Sequence, residues 1–519
     1  MTILEKIKER ILKFLGLEHL SENPNDPRYT FINSEETIIR QKANENKIWY
    51  IGDSDELQNF YTNRDISGNA QEPIYNRNKT QYFWGVAVKE YPVKKVHSGV
   101  PKAIIDTTSS IVGMPQIYAG EQYDDRLQKI LKVNNFNFKL TQEARPMTLA
   151  VGWGAWKVNI TKDNSVPIIE YYEGQDVDFA YSNGILVGIV YRDYYKYKGK
   201  DYVLFETRRI KDNDSIIEYE LFRLSKSNDI SKVDLHSIPD LANLPEQGLT
   251  IPNLKKVLGV PVKYFFDPQH KNYGKSIYAG KVDIFDDIDE CLTQASQTDR
   301  VSTPVEYYPT ALLGRDKNGG VLLPKVYNRQ YVAIETLPNG DGEHKGQIQT
   351  TQPNLNFGQY IDRYTHLLDV ALTGILSPSS LGFNVAKKDN AAAQREKEKQ
   401  TLFTVNSIEN NEAMGITELC NILLNLDAYM NSPDGNFEII EDYDVSVKYD
   451  EFGSPSFESQ ASILTPMFTQ NAISTEMYVN MLYGDSLSEE AKQKEINALN
   501  ELKDSGELNL GDFGLDAKE

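Results

Sequence analysis

The sequence predicts an α+β chain of several units, and three observations carry that reading. Residues 168–222 alternate β-branched and aromatic side chains with polar ones, between turn signals. Two segments of helical period, 274–302 and 358–376, bracket short-strand material at 303–357. A further long helical pattern follows a breaker at Ser377-Pro378-Ser379-Ser380.

Composition bounds the rest. At 519 residues the chain is too long for one ordinary core, so two to four structural units are expected. Lys and Arg number 55 against 75 Asp and Glu, a net charge of −20, which argues against a general nucleic-acid binder. It leaves room for a protein that DNA must pass without sticking. The 2 cysteines, Cys291 and Cys420, give no disulfide framework and no cysteine-based zinc site, which fits folding in a reducing compartment. Charges interrupt MTILEKIKERILKFLGL, so it lacks the apolar stretch of a signal peptide. Its Ile3, Ile7, Ile11 and Phe14 share one helical face, suited to packing on protein, with a membrane surface as the second option.

Taken in order, a helix is expected from Asn33 or Ser34 to about Asn46, with Glu35 and Glu36 in its first turn. Further helices are expected within 99–117 and 125–133. LTQEARPMTLAVGWGAWKVNI reads as a helical start leading into a strand that ends at Ile160. IIEYYEG, ILVGIVYRDYYKY, DYVLFETRRI and IIEYELFRL then read as one antiparallel sheet with a solvated face. Asn183-Gly184, Lys198-Gly199 and Asp212-Asn213 mark its turns. Another strand is expected at 261–266. In the helix after it, Ile277, Ile284, Ile288 and Ala295 form the apolar side, while Asp283, Asp286, Asp287, Asp289 and Glu290 crowd the remaining surface. On the second bracketing helix Ile361, Tyr364, Ala371 and Ile375 share a face. The return helix carries Leu402, Phe403, Ile408 and Leu419, FEIIEDYDVSVKYD after NSPDG reads as a strand pair or a single strand, and the C-terminus is helical before an acidic tail.

Catalytic signatures are mostly missing. HKNYGKS resembles the end of a phosphate-binding loop, but Gln269 stands where the motif needs its first glycine, and Gly274 reads better as the residue that admits the chain to the following helix. HExxH, GxSxG and GxGxxG do not occur in a useful context. The 6 histidines lie far apart in sequence and are read as surface or core polar residues. The acidic run from Asp283 to Glu290 suits a hard cation, although a solvated helix face is the plainer reading. Abundant Tyr and paired acids permit a glycosidase, but no carboxylate pair is singled out.

Several segments, in order, resemble the portal proteins of tailed bacteriophages, of the type found in long-tailed phages of Gram-positive hosts. YTFINSEETIIRQKANENKIWYIGD is similar to that family's opening helix and Tyr-x-Gly element, VHSGVPKAIIDTTSSIVGMPQI to the start of its body domain, and AVGWGAWKVNI to its small-residue strand. GKSIYAGKVDIFDDIDECLTQASQTDRVS looks like the long helix before the inserted module, and YIDRYTHLLDVALTGILSPSSLGF like the helix and loop that return from it. LTPMFTQNAISTEMYVNMLYGDSLSEEAKQKEINALNELK is similar to the closing helices. The loop departs from the family's Gly-Asn-x-Ser-Gly element, with Gly382-Phe383-Asn384 as its nearest match.

The resemblance implies an N-terminal arm and wing (1–273), a first stem helix (274–302), a clip (303–357), a second stem helix (358–376) and a tunnel loop (377–390). A wing return helix and strand (391–455) and a crown with an acidic tail (456–519) complete the chain. It further implies a ring, usually of twelve subunits, at one capsid vertex of the virion, assembled in the host cytoplasm. Double-stranded DNA would pass through it during packaging and ejection. The terminase large subunit, a head-completion adaptor, and the major capsid and scaffolding proteins would be partners. No enzyme activity, cofactor, metal or membrane is implied, since ATP hydrolysis belongs to the terminase. The implied DNA-facing residues are Phe383, Asn384, Lys387 and Lys388 of the tunnel loop and Asp283, Asp286, Asp287 and Glu290 of the stem. Lys387 and Lys388 would either touch the DNA backbone or pair with acids of a neighbouring subunit. The alternatives are another head-tail connector protein or a carbohydrate-active enzyme.

Overall fold

The computed structural model describes residues 34–62, 82–86, 94–160, 164–224, 230–302, 304–322, 330–334, 348–351, 357–382, 391–432, 439–449, 464–468, 473–483 and 489–504. It divides into two compact units, residues 1–450 and 451–519. The amphipathic N-terminal segment lies outside the described residues.

The first unit opens with helices α1 (Ser34–Ile51) and α2 (Ser54–Tyr61). Asp53 caps α2 by accepting the N–H groups of Asp55 and Glu56, and both of those acids favour the positive helix end. Helix α3 (Val100–Val112) has Pro101 in its first turn and ends at Gly113, where φ is 71°. Strand β1 (Gln116–Ala119) and helix α4 (Gly120–Val133) follow. A π-helical turn at Lys139–Ala144 then runs into α5 (Arg145–Val151).

Strand β2 (Trp153–Asn159) lies between β3 (Ile168–Glu173) and β10 (Gly259–Lys263), antiparallel to both. A second sheet runs β4 (Val177–Ser182), β5 (Ile185–Tyr197), β6 (Lys200–Lys211), β7 (Asp214–Leu224) and β8 (Ile230–Val233), with β9 (Leu249–Ile251) also paired to β7. The hairpin turns fall at the predicted places. Asn183 and Gly184, Lys198 and Gly199, and Asp212 and Asn213 all have positive φ, the twist-matched arrangement for two-residue hairpins.

Two sheet expectations change. IIEYYE does not join the others, because the turn at Gly174–Asp176 redirects the chain and the Gly174 carbonyl accepts the Trp153 indole N–H at 2.8 Å. Nor is the larger sheet solvated along one face. On one face Phe179, Ile189 and Tyr191 pack with Ile39 and Ala43 of α1, and Tyr202, Leu204 and Leu221 pack under Leu235, Ile238 and Leu241, while Val190, Val203 and Phe222 are buried on the other face. Glu206 and Arg208 are consequently buried in mid-strand. Arg208 Nε donates to Glu206 at 2.6 Å and Lys157 pairs with Glu206 at 2.7 Å, so the charges satisfy one another.

After β10 come α6 (Val282–Val301), a three-stranded sheet, α7 (Phe357–Leu372) and the 40-residue α8 (Ala391–Met430). In the small sheet β11 (Val305–Pro309) is central, parallel to β12 (Gln330–Ile334) and antiparallel to β13 (Gln349–Thr351). Strand β14 (Val445–Lys448) pairs antiparallel with β1, so residues 116–119 and 445–448 close the unit. A buried ion pair ties α5 to α8. Arg145 Nε donates to Glu412 at 2.9 Å, and Glu412 also accepts the hydroxyls of Tyr264 at 2.7 Å and Tyr449 at 2.8 Å. Both cysteines are free and buried. No helix among the described residues is long and apolar enough to cross a membrane.

In the second unit a helical turn at 464–468 precedes α9 (Thr475–Tyr483) and α10 (Glu489–Asp504). Phe468 stacks on Tyr478 with ring centroids 4.5 Å apart, and Leu464, Val479, Leu482 and Ile496 are buried.

Candidate functional site

Helix α6 begins eight residues later than the 274 start expected from the sequence. Gly274, Lys275 and Ser276 instead run flush against Gly152. A Cβ on Gly274 would meet the Gly152 carbonyl oxygen at 2.1 Å, and Gly152 itself has φ of +112°. Ile277 N–H donates to the Leu149 carbonyl at 3.0 Å, fixing the approach, and Gly280, with φ of 78°, turns the chain into the helix.

Helices α6 and α7 pack side by side. Lys281 Nζ donates to the Val370 carbonyl at 2.6 Å, while at the other end Thr298 Oγ1 meets the Tyr360 hydroxyl at 3.1 Å. Rising numbers on one helix meet falling numbers on the other, so the pair is antiparallel. The β11–β13 module, joined to the end of α6 and the start of α7, therefore sits at one end of that pair. Val282, Phe285, Ile288, Cys291 and Ala295 form the buried stripe of α6. Phe357 and Ile361 stand on α7 with 49% and 53% of their surface exposed.

The acids of α6 do not form one continuous surface. Asp283, Asp287 and Glu290, at i, i+4 and i+7, share a face on which the first two are exposed and the third half-buried, and Asp283 also accepts the Tyr82 hydroxyl of the segment that crosses the helix. Asp286 and Asp289 point elsewhere, which corrects the expectation that both crowd the open surface and that Asp286 faces a channel. Asp286 is buried and accepts the backbone N–H of Phe83 at 2.7 Å and of Trp84 at 3.3 Å. Asp289 is fully buried and accepts the Trp84 indole N–H at 3.0 Å and the Ser98 N–H at 2.8 Å, with His97 Nδ1 at 2.8 Å. Thr293 extends the row by accepting the Val96 N–H at 2.9 Å. Residues 82–86 and 94–98 thus form a strap across the helix. Lys95 Nζ holds its two halves together through the carbonyls of Phe83, at 2.6 Å, and Val86, at 2.8 Å. Burial pushes the Asp286 carboxyl up to about 7 against the opposing effect of the two N–H bonds, with Asp289 and Asp287 adding to the rise.

The four tunnel-loop residues, Phe383, Asn384, Lys387 and Lys388, lie outside the described residues. The segment leading to them is docked firmly on α8. Ser377 N–H donates to Thr401 Oγ1 at 2.9 Å, Thr404 Oγ1 donates to the Ile375 carbonyl at 2.7 Å, and Pro378 opens a short 3₁₀ turn ending at Gly382 with φ of 74°.

The strap is what sequence reasoning missed. Its one local signal was spacing: Asp286, Asp289 and Thr293 repeat at i, i+3 and i+7, a polar row beside the apolar one. His97, read singly from the sequence, acquires its structural role only through Asp289, 192 positions away.

The geometry defines a class: a mixed helix-and-sheet protein in which an antiparallel helix pair carries a small β module at one end. No protein-family model matches the chain, and no curated protein matches it. Among solved structures it is similar to a chain in the virion of a native gene transfer agent particle, at 11% identity and a TM-score of 0.39, covering 83% of this chain and 97% of that one. It is also similar to a chain in the neck of the native particle computed with C12 symmetry, at 13% identity and a TM-score of 0.35, covering 77% and 90% of the two chains. A chain in the neck of the empty particle computed with C6 symmetry gives 11% identity and a TM-score of 0.35, covering 80% and 95%.

Proposed function

We propose that this protein is a portal subunit: a virion component that assembles into a ring at one capsid vertex, through which double-stranded DNA is packaged and later released. The observation that carries the reading is the α6–module–α7 arrangement, with α8 returning the chain to the body. A helix pair that holds a β module at its end can line a channel and present that module to partners. The exposed Phe357 and Ile361 suit burial against a second copy of the chain.

The electrostatics favour passage over binding. A protein that neutralised many phosphates would hold DNA in place, whereas the net charge of −20 and the exposed acid Asp287 resist such a trap. On this reading the subunit catalyses nothing, and a separate terminase supplies ATP hydrolysis and docks, as does the head-completion adaptor, on the β11–β13 module. Negative-stain electron microscopy of the purified protein tests it. Annular oligomers with an axial hole are expected, and a protein that stays monomeric under all assembly conditions, or that cleaves glycans, would overturn it.

A further inference from the structure

A cleft of about 610 Å³ opens between residues 263–277, the turn at Gly374 and Ile375, and residues 404–411 of α8. That volume is typical of sites for small ligands. Lys263, Lys271 and Lys275 all line it, and no Asp or Glu is among its described lining residues. In a chain with 75 acidic against 55 basic side chains, three lysines sharing a cavity without a carboxylate run against the general charge.

Lys263 is the most informative of the three. Its Nζ donates to the Tyr181 hydroxyl at 2.9 Å and to the Asn272 carbonyl at 3.3 Å, and lies 4.8 Å from the centre of the Tyr181 ring. Both acceptors are neutral. They satisfy hydrogen bonds but do not balance the charge, and burial lowers the Lys263 pKa to about 8. Lys271 and Lys275 are exposed and form no ion pair among the described residues.

Lys271 and Lys275 belong to HKNYGKS, the segment whose likeness to a phosphate loop the portal reading leaves unused. Its backbone amides are not arranged as such a loop would need. Tyr273 N–H donates to the His270 carbonyl at 2.9 Å and Lys275 N–H to the Phe265 carbonyl at 2.9 Å. With the Tyr273 and Lys275 amides already used, the side chains that line the cleft, not a nest of amides, are the donors for an anion here.

We propose that this cleft binds a phosphate group, with Lys263 as its half-buried cation and Lys271 and Lys275 at its exposed side. A single carboxylate, or a backbone phosphodiester, would balance only one of the three positive charges, whereas a phosphate monoester carries nearly two negative charges and three acceptor oxygens. The Ser407 side chain on the same wall adds a hydroxyl donor. The group comes either from a free phosphate or from the phosphate monoester of a nucleotide. The proposal stands independently of ring assembly.

Calorimetric titration of the full-length protein at low salt with inorganic phosphate, a nucleoside monophosphate and a short DNA duplex tests it. Saturable phosphate binding is expected, weakened roughly tenfold or more in the Lys271→Gln/Lys275→Gln double variant. Both side chains are exposed, so that variant should keep the wild-type Tm, which separates lost binding from lost fold. Phosphate binding without nucleotide binding assigns a free phosphate, competition between phosphate and the nucleoside monophosphate assigns the monoester, and displacement of phosphate by the duplex overturns the charge argument. Sulfate has a fixed charge over the range and should bind progressively more weakly above about pH 8, as Lys263 loses its proton. Absence of both phosphate and nucleotide binding, or an affinity unchanged in the double variant, overturns the proposal. Sulfate affinity that stays flat into the ordinary lysine range removes Lys263 from the site.

Discussion

At the scale of single residues, the carboxyl of Asp286 shows how the strap and the acidic helix depend on each other. It is held among Asp289 and Asp287 on its own helix and Lys95 from the strap, and burial raises its pKa to about 7. In the unfolded chain the same group titrates in the ordinary carboxylate range. Between those values the folded state holds a proton that the unfolded state has released, so stability falls as pH rises through that window. Asp286→Asn keeps the size of the side chain and an acceptor oxygen for the Phe83 N–H while removing the titration. The Tm of the wild type should therefore drop more than that of the variant between about pH 5 and pH 8. Parallel profiles, measured by scanning calorimetry, would place the pH dependence elsewhere. Asp289 differs in kind, because it accepts from the Trp84 indole, the Ser98 amide and the His97 ring together, and no neutral replacement serves all three.

At the scale of elements, the seam between Gly152 and Gly274 fixes where α6 begins. The 274–281 segment has enough helical period to read as helix, yet it lies against α5 and β2 with backbone on backbone. Gly274→Ala would drive a Cβ into the Gly152 carbonyl oxygen, and neither backbone can yield as a flexible side chain would. We expect a loss of at least about 1–3 kcal/mol in denaturant unfolding. A variant as stable as the wild type would show that the seam can open without consequence. The hairpins were legible because Asn183-Gly184 and Lys198-Gly199 carry their own conformational preference. The polar row on α6 was legible only as spacing. That Asp286 and Asp289 turn inward depends on residues 82–86 and 94–98, which approach from about two hundred positions away. The placement of IIEYYE was hidden for a similar reason, since a strand carries no local mark of which sheet it joins.

At the scale of the whole molecule, charge acts through repetition. On the portal reading a ring repeats Lys387 and Lys388 around its axis, setting a thin positive girdle in an otherwise negative tube that guides DNA without gripping it. Lys387→Ala combined with Lys388→Ala should leave ring assembly intact while lowering the amount of DNA packaged or retained, measured as DNA per assembled particle. Packaging at the wild-type level would assign the two lysines to contacts between subunits. The phosphate cleft has a different character, because its three lysines come from one chain and need no symmetry to share a cavity.

The amino-acid sequence by itself determined the order of elements, the turns of the larger sheet and the placement of a short-strand module between two helices. These follow from side-chain period and turn chemistry, which act over a few residues. Only the tertiary structure decided which acids of α6 stay open and which anchor the strap, how the strands divide between two sheets, and that Lys263 joins Lys271 and Lys275 in one cleft. Each of those outcomes depends on which distant backbone or side chain arrives to bury a polar group. A buried charge is kept where a partner meets it, and nothing in the local pattern names that partner.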